Sequence, residues 1–206
     1  MSNKGDEKNR LTVDEDYELV CLCQKGNVES FEALVEKHQK KMLNIACRMI
    51  GNYEEACEVV QDAFLSAYRA IRKFRGDARF STWLYTIVIN LSKNRMKQIK
   101  IHFHREGSSL DVPADTADGQ FRRDPQAHEP PIVEQLEKKE VQAKVQKCLN
   151  TLDDEYREVL VLRDIQGFSY EEIRDILKIP DGTVKSRLFR ARDALKDCLK
   201  KALGDL

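Results

Sequence analysis

SYEEIRDILKIPDGTVKSRLFRAR, residues 169–192, decides the fold. Ser169 with Glu172 three positions on is a capping box, which starts a helix. That short helix, over Ser169 to Lys178, gives way to a tight turn at Ile179-Pro180-Asp181-Gly182, and a second helix follows. Advancing about 100° per residue from Val184 places Val184, Leu188, Ala191 and Leu195 within about 40° of one direction, the expected buried stripe. The opposite face collects Lys185, Ser186, Phe189 and Arg190. An aromatic ring on the water side, flanked by cations and a hydroxyl, suits a nucleic-acid groove, where cations meet phosphates or guanine edges and a ring meets a thymine methyl. Taken alone, the stretch also fits a solvated basic face with Phe189 folded against a neighbouring helix. The surrounding pattern favours DNA. Two helices about a tight turn form a helix-turn-helix, whose second helix enters the major groove through its N-terminal part. Here the basic residues occupy that part, where the helix dipole also attracts phosphate.

Working outward, the C-terminal block adds a helix from about Ile132 to Asn150 and one from Asp153 to Gln166. Before it the chain changes character. Pro113, Pro125, Pro130 and Pro131 fall between residues 101 and 132, as do Gly107, Gly119 and the acids Asp111, Asp115, Asp118 and Asp124. Apolar periodicity is lost there, which predicts a flexible linker. The N-terminal block is helical again. Gly26-Asn27 and Gly51-Asn52 break it, and Asn52 with Glu55 caps the helix that runs from about Tyr53 to Lys73. The turn FRGDARF, residues 74–80, leads into a fourth helix with Ser81 or Thr82 as its cap. No stretch alternates with period two, so the fold class is all-α. It comprises two small helical domains, residues 1–100 and 133–206, joined by the linker over 101–132. Each block carries its own apolar stripes, which predicts two separately folded cores.

A second basic surface lies in the N-terminal block. FSTWLYTIVINLSKNRMKQIK, residues 80–100, buries Leu84, Ile87, Val88 and Leu91 and presents Asn90, Lys93, Asn94, Arg95, Lys97 and Lys100. The loop before it interleaves rings and cations: Phe74, Arg75, Arg79, Phe80, then Trp83. Unpaired bases stack on such rings while the backbone follows positive charge. Phe80 and Trp83 are read mainly as packed residues, with Phe74 and Asn90 as the base contacts.

Composition narrows the function further. The 206 residues are 41% hydrophobic and 34% charged, with 35 Lys and Arg balancing 35 Asp and Glu, so the basic patches are local. No apolar run approaches the roughly 20 residues of a membrane span, and Met1 to Arg10 lacks an apolar signal core. Membrane insertion is not expected, and a cytoplasmic location is. The six cysteines (Cys21, Cys23, Cys47, Cys57, Cys148 and Cys198) all fall in helical segments without a CxxC pair. They read as small apolar fillers. Cys21 and Cys23 diverge on a helix, and His102 and His104 lack a matching ligand set, so no metal or cofactor is expected. A phosphate-cradling glycine loop, HExxH and the nucleophile elbow are all missing from the sequence, which argues against an enzyme.

EVVQDAFLSAYRAIRKFRGDARFSTWLYTIVINLSKNR (residues 58–95) and LDDEYREVLVLRDIQGFSYEEIRDILKIPDGTVKSRLFRAR (residues 152–192) together resemble a bacterial RNA polymerase sigma factor of the small extracytoplasmic-function, sigma-E-like group. The likeness spans about Asp14 to Lys200 in the family's order. It implies that Glu58, Val59, Val60, Gln61 and Asp62 grip the clamp of the polymerase β′ subunit. It implies that Phe74, Arg75, Arg79, Asn90 and Asn94 open the −10 promoter element and capture a flipped base. Thr183, Lys185, Ser186, Arg187, Phe189 and Arg190 would read the −35 element in the major groove. The linker would thread the polymerase's RNA path. The implied partners are core RNA polymerase (β′ clamp and β flap), promoter DNA and an anti-sigma factor that grips both domains. Two positions depart from the family pattern. Cys57-Glu58 stands where Glu-Asp is common, and Arg174 replaces a small alanine, so its side chain must reach outward. The competing reading is a helix-turn-helix regulator that acts without polymerase. It calls for a sensor or dimerisation domain where this chain has the aromatic-basic loop.

Overall fold

The computed structural model describes residues 14–105 and 132–203, with side chains over 14–102 and 139–203. The first thirteen residues and most of the expected linker lie outside the described residues. All regular structure among the described residues is helical. In chain order the helices are α1 (Tyr17–Gln24), α2 (Val28–Ile50), α3 (Tyr53–Ala70), α4 (Phe80–Arg105), α5 (Ile132–Thr151), α6 (Asp154–Leu160), α7 (Tyr170–Leu177) and α8 (Asp181–Leu203).

The capping chemistry follows the sequence closely. Asn27 and Asn52 accept the backbone N–H of Ser30 and Glu55 to start α2 and α3. Ser169 and Glu172 form the full capping box of α7. The start of α4 is a correction. The helix begins at Phe80, ahead of Ser81 and Thr82, and the Phe80 N–H is accepted by Asp14 Oδ2 at 2.8 Å from the other end of the domain. Two further boundaries shift. The helix expected to run to Gln166 widens into a π turn at Val161–Ile165. The turn between α7 and α8 is Lys178 to Pro180, with Lys178 left-handed at φ 57°, and Asp181 and Gly182 already belong to α8.

In the N-terminal domain α2, α3 and α4 pack together, and α1 crosses α2. Leu34, Met42, Ile45, Met49, Ala63, Leu84 and Val88 fill the centre. A buried polar network fastens α1: Asp16 meets His38 Nε2 at 2.8 Å and receives Lys37 Nζ at 2.8 Å, while His38 Nδ1 meets the Tyr85 hydroxyl at 3.0 Å. Burial works to raise the Asp16 carboxyl, but the hydrogen bonds from His38 and Lys37 outweigh it and hold the group below its ordinary value. In the C-terminal domain α8 packs on α5, α6 and α7, burying Val184, Leu188 and Ala191 as the periodicity predicts.

The apolar stripes predict two separate cores, but the structure joins them. One cluster of buried residues runs from Val20 to Ala191 across both domains. The seam is stitched by polar groups that sequence periodicity does not register. Arg157 is buried and donates from Nη1 to the Met49 carbonyl (2.6 Å) and from Nη2 to the carbonyls of Asn150 (2.7 Å) and Leu152 (3.0 Å). The three carbonyl bonds offset most of the cost of burying this guanidinium, although its Nε has no hydrogen-bond partner. Phe168 sits edge-to-face with Tyr85, and Lys41 lies 4.0 Å above the Phe168 ring. Gly51 ends α2 with φ +83°, and Asn150 of α5 occupies the space beside it; a Cβ at residue 51 would stand 2.6 Å from Asn150 Nδ2.

The cysteines also need a correction. Cys148 of α5 and Cys198 of α8 form a disulfide with Cα atoms 5.7 Å apart, instead of serving as apolar fillers. Cys21, Cys23, Cys47 and Cys57 are thiols, and burial pushes Cys47 up to about 11.

Candidate nucleic-acid and polymerase interface

Residues 74–79 leave α3 through a 3₁₀ turn at Ile71–Lys73 and are pinned from beneath. Gln24 Nε2 donates to the carbonyls of Ile71 (3.1 Å) and Phe74 (2.8 Å), and Asp14 holds the far end at Phe80. Phe74, Phe80 and Trp83 form a ring triangle with centroids 5.0 to 5.9 Å apart. Phe80 is buried, while Phe74 and Trp83 are half-buried. The triangle therefore has a sealed base and two partly open rings. Beside it opens a pocket of about 370 Å³, lined by Lys73, Phe74, Arg75, Asp77, Trp83 and Thr86 among others, and closed on one side by Asp175 and Lys178 of the C-terminal domain. Arg75 and Arg79 are exposed next to these rings. An aromatic-walled cavity with free guanidinium groups at its edge is chemically suited to one unpaired base and its flanking phosphates.

Along α4, Asn90, Asn94 and Lys97 are exposed. The other cations expected there are engaged elsewhere. Lys93 binds Glu158 at 2.8 Å, Arg95 binds Glu55 and Glu58, and Lys100 binds Asp154 at 2.9 Å. Lysine and arginine at these positions reach across to acids on neighbouring helices, which a single-helix wheel does not reveal.

On α8 the polar face matches expectation in most respects. Phe189 is 75% exposed, the most open of the large apolar side chains among the described residues, and Lys185, Ser186 and Arg190 flank it in water. Thr183 is half-buried near the helix start. Arg187 is a correction. It sits 60° from Val184, at the edge of the buried stripe, and its guanidinium turns inward to Glu155 (2.6 Å) and Glu158 (3.5 Å). It braces α8 on α6 and is not presented to a groove. Arg192 likewise clasps Asp164 through two bonds of 2.6 and 2.9 Å. Arg174 is exposed and pairs with Asp175, reaching outward as its neighbours require.

The third surface is α3. Glu58, Gln61 and Asp62 are exposed on one face. Val59 is a correction: at 2% exposure it packs into the core and meets no partner, because it lies on the Ala56–Ala63 stripe. The sequence reading missed Leu65 and Tyr68, which are 45% and 46% exposed. Both fall one and two turns beyond Gln61 on the same face. Their apolar surface in a row with Gln61 was the available signal. Tyr68 is steadied by an edge-to-face contact with Phe31 at 4.9 Å.

Known proteins resemble this chain over both helical blocks. Residues 34–100 match the family model for sigma-70 region 2, and residues 142–195 match the model for sigma-70 region 4. The chain is 38% identical over 199 residues to the RNA polymerase sigma-H factor of Pseudomonas aeruginosa, covering 95% of this chain and 99% of that protein. It is 38% identical over 181 residues to the ECF RNA polymerase sigma-E factor of Escherichia coli K12, covering 87% and 92%. Among solved structures, CnrH in complex with the cytosolic domain of CnrY matches with TM-score 0.65 at 28% identity, over 91% of this chain and 99% of that one. The sigma factor RpoE of Bartonella quintana, solved with the anti-sigma factor NepR, shares the fold with TM-score 0.63.

Proposed function

The chain belongs to the sigma-70 family, in its extracytoplasmic-function group, and from that premise we propose a division of labour among its three surfaces. The protein binds core RNA polymerase, directs it to promoters carrying −10 and −35 elements, and helps open the strands. It acts by binding, without chemistry of its own and without a cofactor, in the cytoplasm where the polymerase works. Residues 1–100 carry the polymerase clamp contact through Glu58, Gln61 and Asp62, extended by Leu65 and Tyr68, and the −10 site through Phe74, Arg75, Arg79, Asn90 and Asn94. Residues 133–206 carry the −35 site through Thr183, Lys185, Ser186, Phe189 and Arg190 and meet the β flap. Residues 101–132 serve as the linker through the RNA path. An anti-sigma factor gripping both domains is the expected regulator.

The observation that carries this reading is the difference in chemistry between the two DNA-facing surfaces. An aromatic-walled pocket suits a base taken out of the stack. An exposed ring among donors on the second helix of a helix-turn-helix suits the major groove of intact duplex. One chain with both can recognise a duplex and then hold it open. Nuclease protection tests the proposal. Core polymerase with this chain should protect promoter DNA around both elements, and core alone should not; protection by the chain alone at a single site would favour a regulator acting without polymerase.

A further inference from the structure

We propose that Cys148 and Cys198 form a reversible redox clasp that decides whether the two DNA-reading domains can separate; this rests on the sigma-factor reading above. Three observations lead there. First, the structure joins the domains so closely that their exposed DNA surfaces cannot reach two separated promoter elements at once. Glu158, buried, holds Lys93 of α4 on one oxygen and Arg187 of α8 on the other, so the helices meant for two promoter elements meet on one carboxylate. Elements centred about 25 base pairs apart lie about 85 Å apart at about 3.4 Å per pair. The closed arrangement therefore cannot read both. Asp175 of α7 and Lys178 just beyond it also close one side of the base pocket.

Second, α5 lies between the domains. Its Gln146 accepts from Arg48 Nη1 (3.2 Å) and donates to the Arg48 carbonyl (3.3 Å), and Asn150 fills the space beside Gly51, all at the C-terminal end of α2. Third, α5 is tied to its own domain only over its last two turns, by the disulfide, by Val145 and Leu149, and by the Arg157 bond to the Asn150 carbonyl. From residue 139 to 144 every side chain is exposed, and only the last two turns sink, around Cys148 and Leu149. The bond to Cys198 fixes those turns on α8. With α5 fixed, its contacts to α2 persist and the closed form is favoured. With the bond reduced, α5 keeps only Val145, Leu149 and the Arg157 bond to its own domain, and the seam loosens.

Exchange with a small disulfide such as oxidised glutathione closes the clasp. The half-exposed Cys198 thiolate attacks one glutathione sulfur and releases one glutathione thiolate. The Cys148 thiolate then attacks Cys198 Sγ and expels the second. Two protein thiols become one disulfide, one glutathione disulfide becomes two thiols, and the two protons pass to the departing thiolates. Structural disulfides rarely persist in a reducing cytosol, so a pair so placed is suited to switching.

The test uses the full chain, oxidised with glutathione disulfide or reduced with dithiothreitol, in parallel with Cys198→Ser. Alkylation and mass spectrometry count thiols, small-angle scattering reports the radius of gyration, and run-off transcription with core polymerase reports activity. Oxidation should remove two thiols, at Cys148 and Cys198, shrink the particle and lower transcript yield by about fivefold or more, the low end of couplings between distant sites. Cys198→Ser should behave as the reduced protein in either buffer. Failure of the bond to form, or equal dimensions and equal yields in both states, overturns the clasp. Lys41→Glu supplies a control that leaves all cysteines and both DNA sites intact. It sets an acid against Phe168 and near Glu172, so it should expand the oxidised particle and raise its transcript yield; no change would show that the closed seam does not limit activity. A reduced chain unable to initiate at all would instead refute the sigma-factor reading.

Discussion

Phe189→Ala separates binding from folding more cleanly than any other substitution in this chain. The ring is 75% exposed, so its removal leaves no cavity and stability should change by no more than about 0.5 kcal/mol. A phenylalanine side chain offers about 200 Å². Three quarters of that is about 150 Å², and covering it on DNA has a ceiling near 4 kcal/mol at about 25 cal/mol per Å². Ordering of the flanking Lys185 and Arg190 costs about 0.5–1.5 kcal/mol each, which leaves about 1–3 kcal/mol. The dissociation constant of holoenzyme for a −35 duplex should therefore rise about 5- to 150-fold. Fluorescence anisotropy with a labelled duplex measures it, and thermal unfolding of the free chain supplies the control. Arg190→Ala should cost a similar amount but relax selectivity at one base position. Unchanged affinity for Phe189→Ala, with stability also unchanged, would refute the assignment of this face to DNA.

Phe74→Ala and Asn90→Ala should spare binding of closed duplex but slow strand opening, because a flipped base is captured only after the strands part; permanganate reactivity of unpaired thymines reads this. Gln61→Ala with Asp62→Ala should weaken capture by core polymerase in a pull-down while leaving the unfolding temperature unchanged, since both side chains are exposed. For Glu158, burial raises the carboxyl above its ordinary value, partly opposed by the Lys93 hydrogen bond and the charges of Lys93 and Arg187. A carboxyl raised on folding contributes stability that is full below its unfolded value and is lost as the pH climbs through the folded one. Denaturant titrations should show wild type losing stability relative to Glu158→Gln as the pH rises above 4.5; parallel curves would deny the burial of a charged group there.

The local chemistry of this fold was readable from sequence because it depends on neighbours in the chain. Asn27, Asn52 and Ser169 cap the helices they precede, and the spacing from Val184 to Ala191 points Phe189 into water. Long-range pairing was not readable in the same way. Arg157 and Glu158 look like ordinary surface charges in a polar run, yet they are buried in the seam because acceptors and cations from α2 and α4 meet them there. Cys148 and Cys198 are separated by 50 residues, and no periodicity relates two helices whose packing is unknown. Arg187 lay within reach of the wheel, at the edge of the buried stripe, but its acids lie on α6. Val59 shows the opposite lesson. Motif likeness placed it on the polymerase, whereas its own apolar stripe placed it in the core.

Run-off transcription with purified core polymerase tests the central claim most directly. A promoter template, the reduced chain and core enzyme should give a transcript of defined length that core alone does not produce, and Phe189→Ala and Asn90→Ala should each reduce its yield. Transcript levels identical with and without the chain would contradict the account.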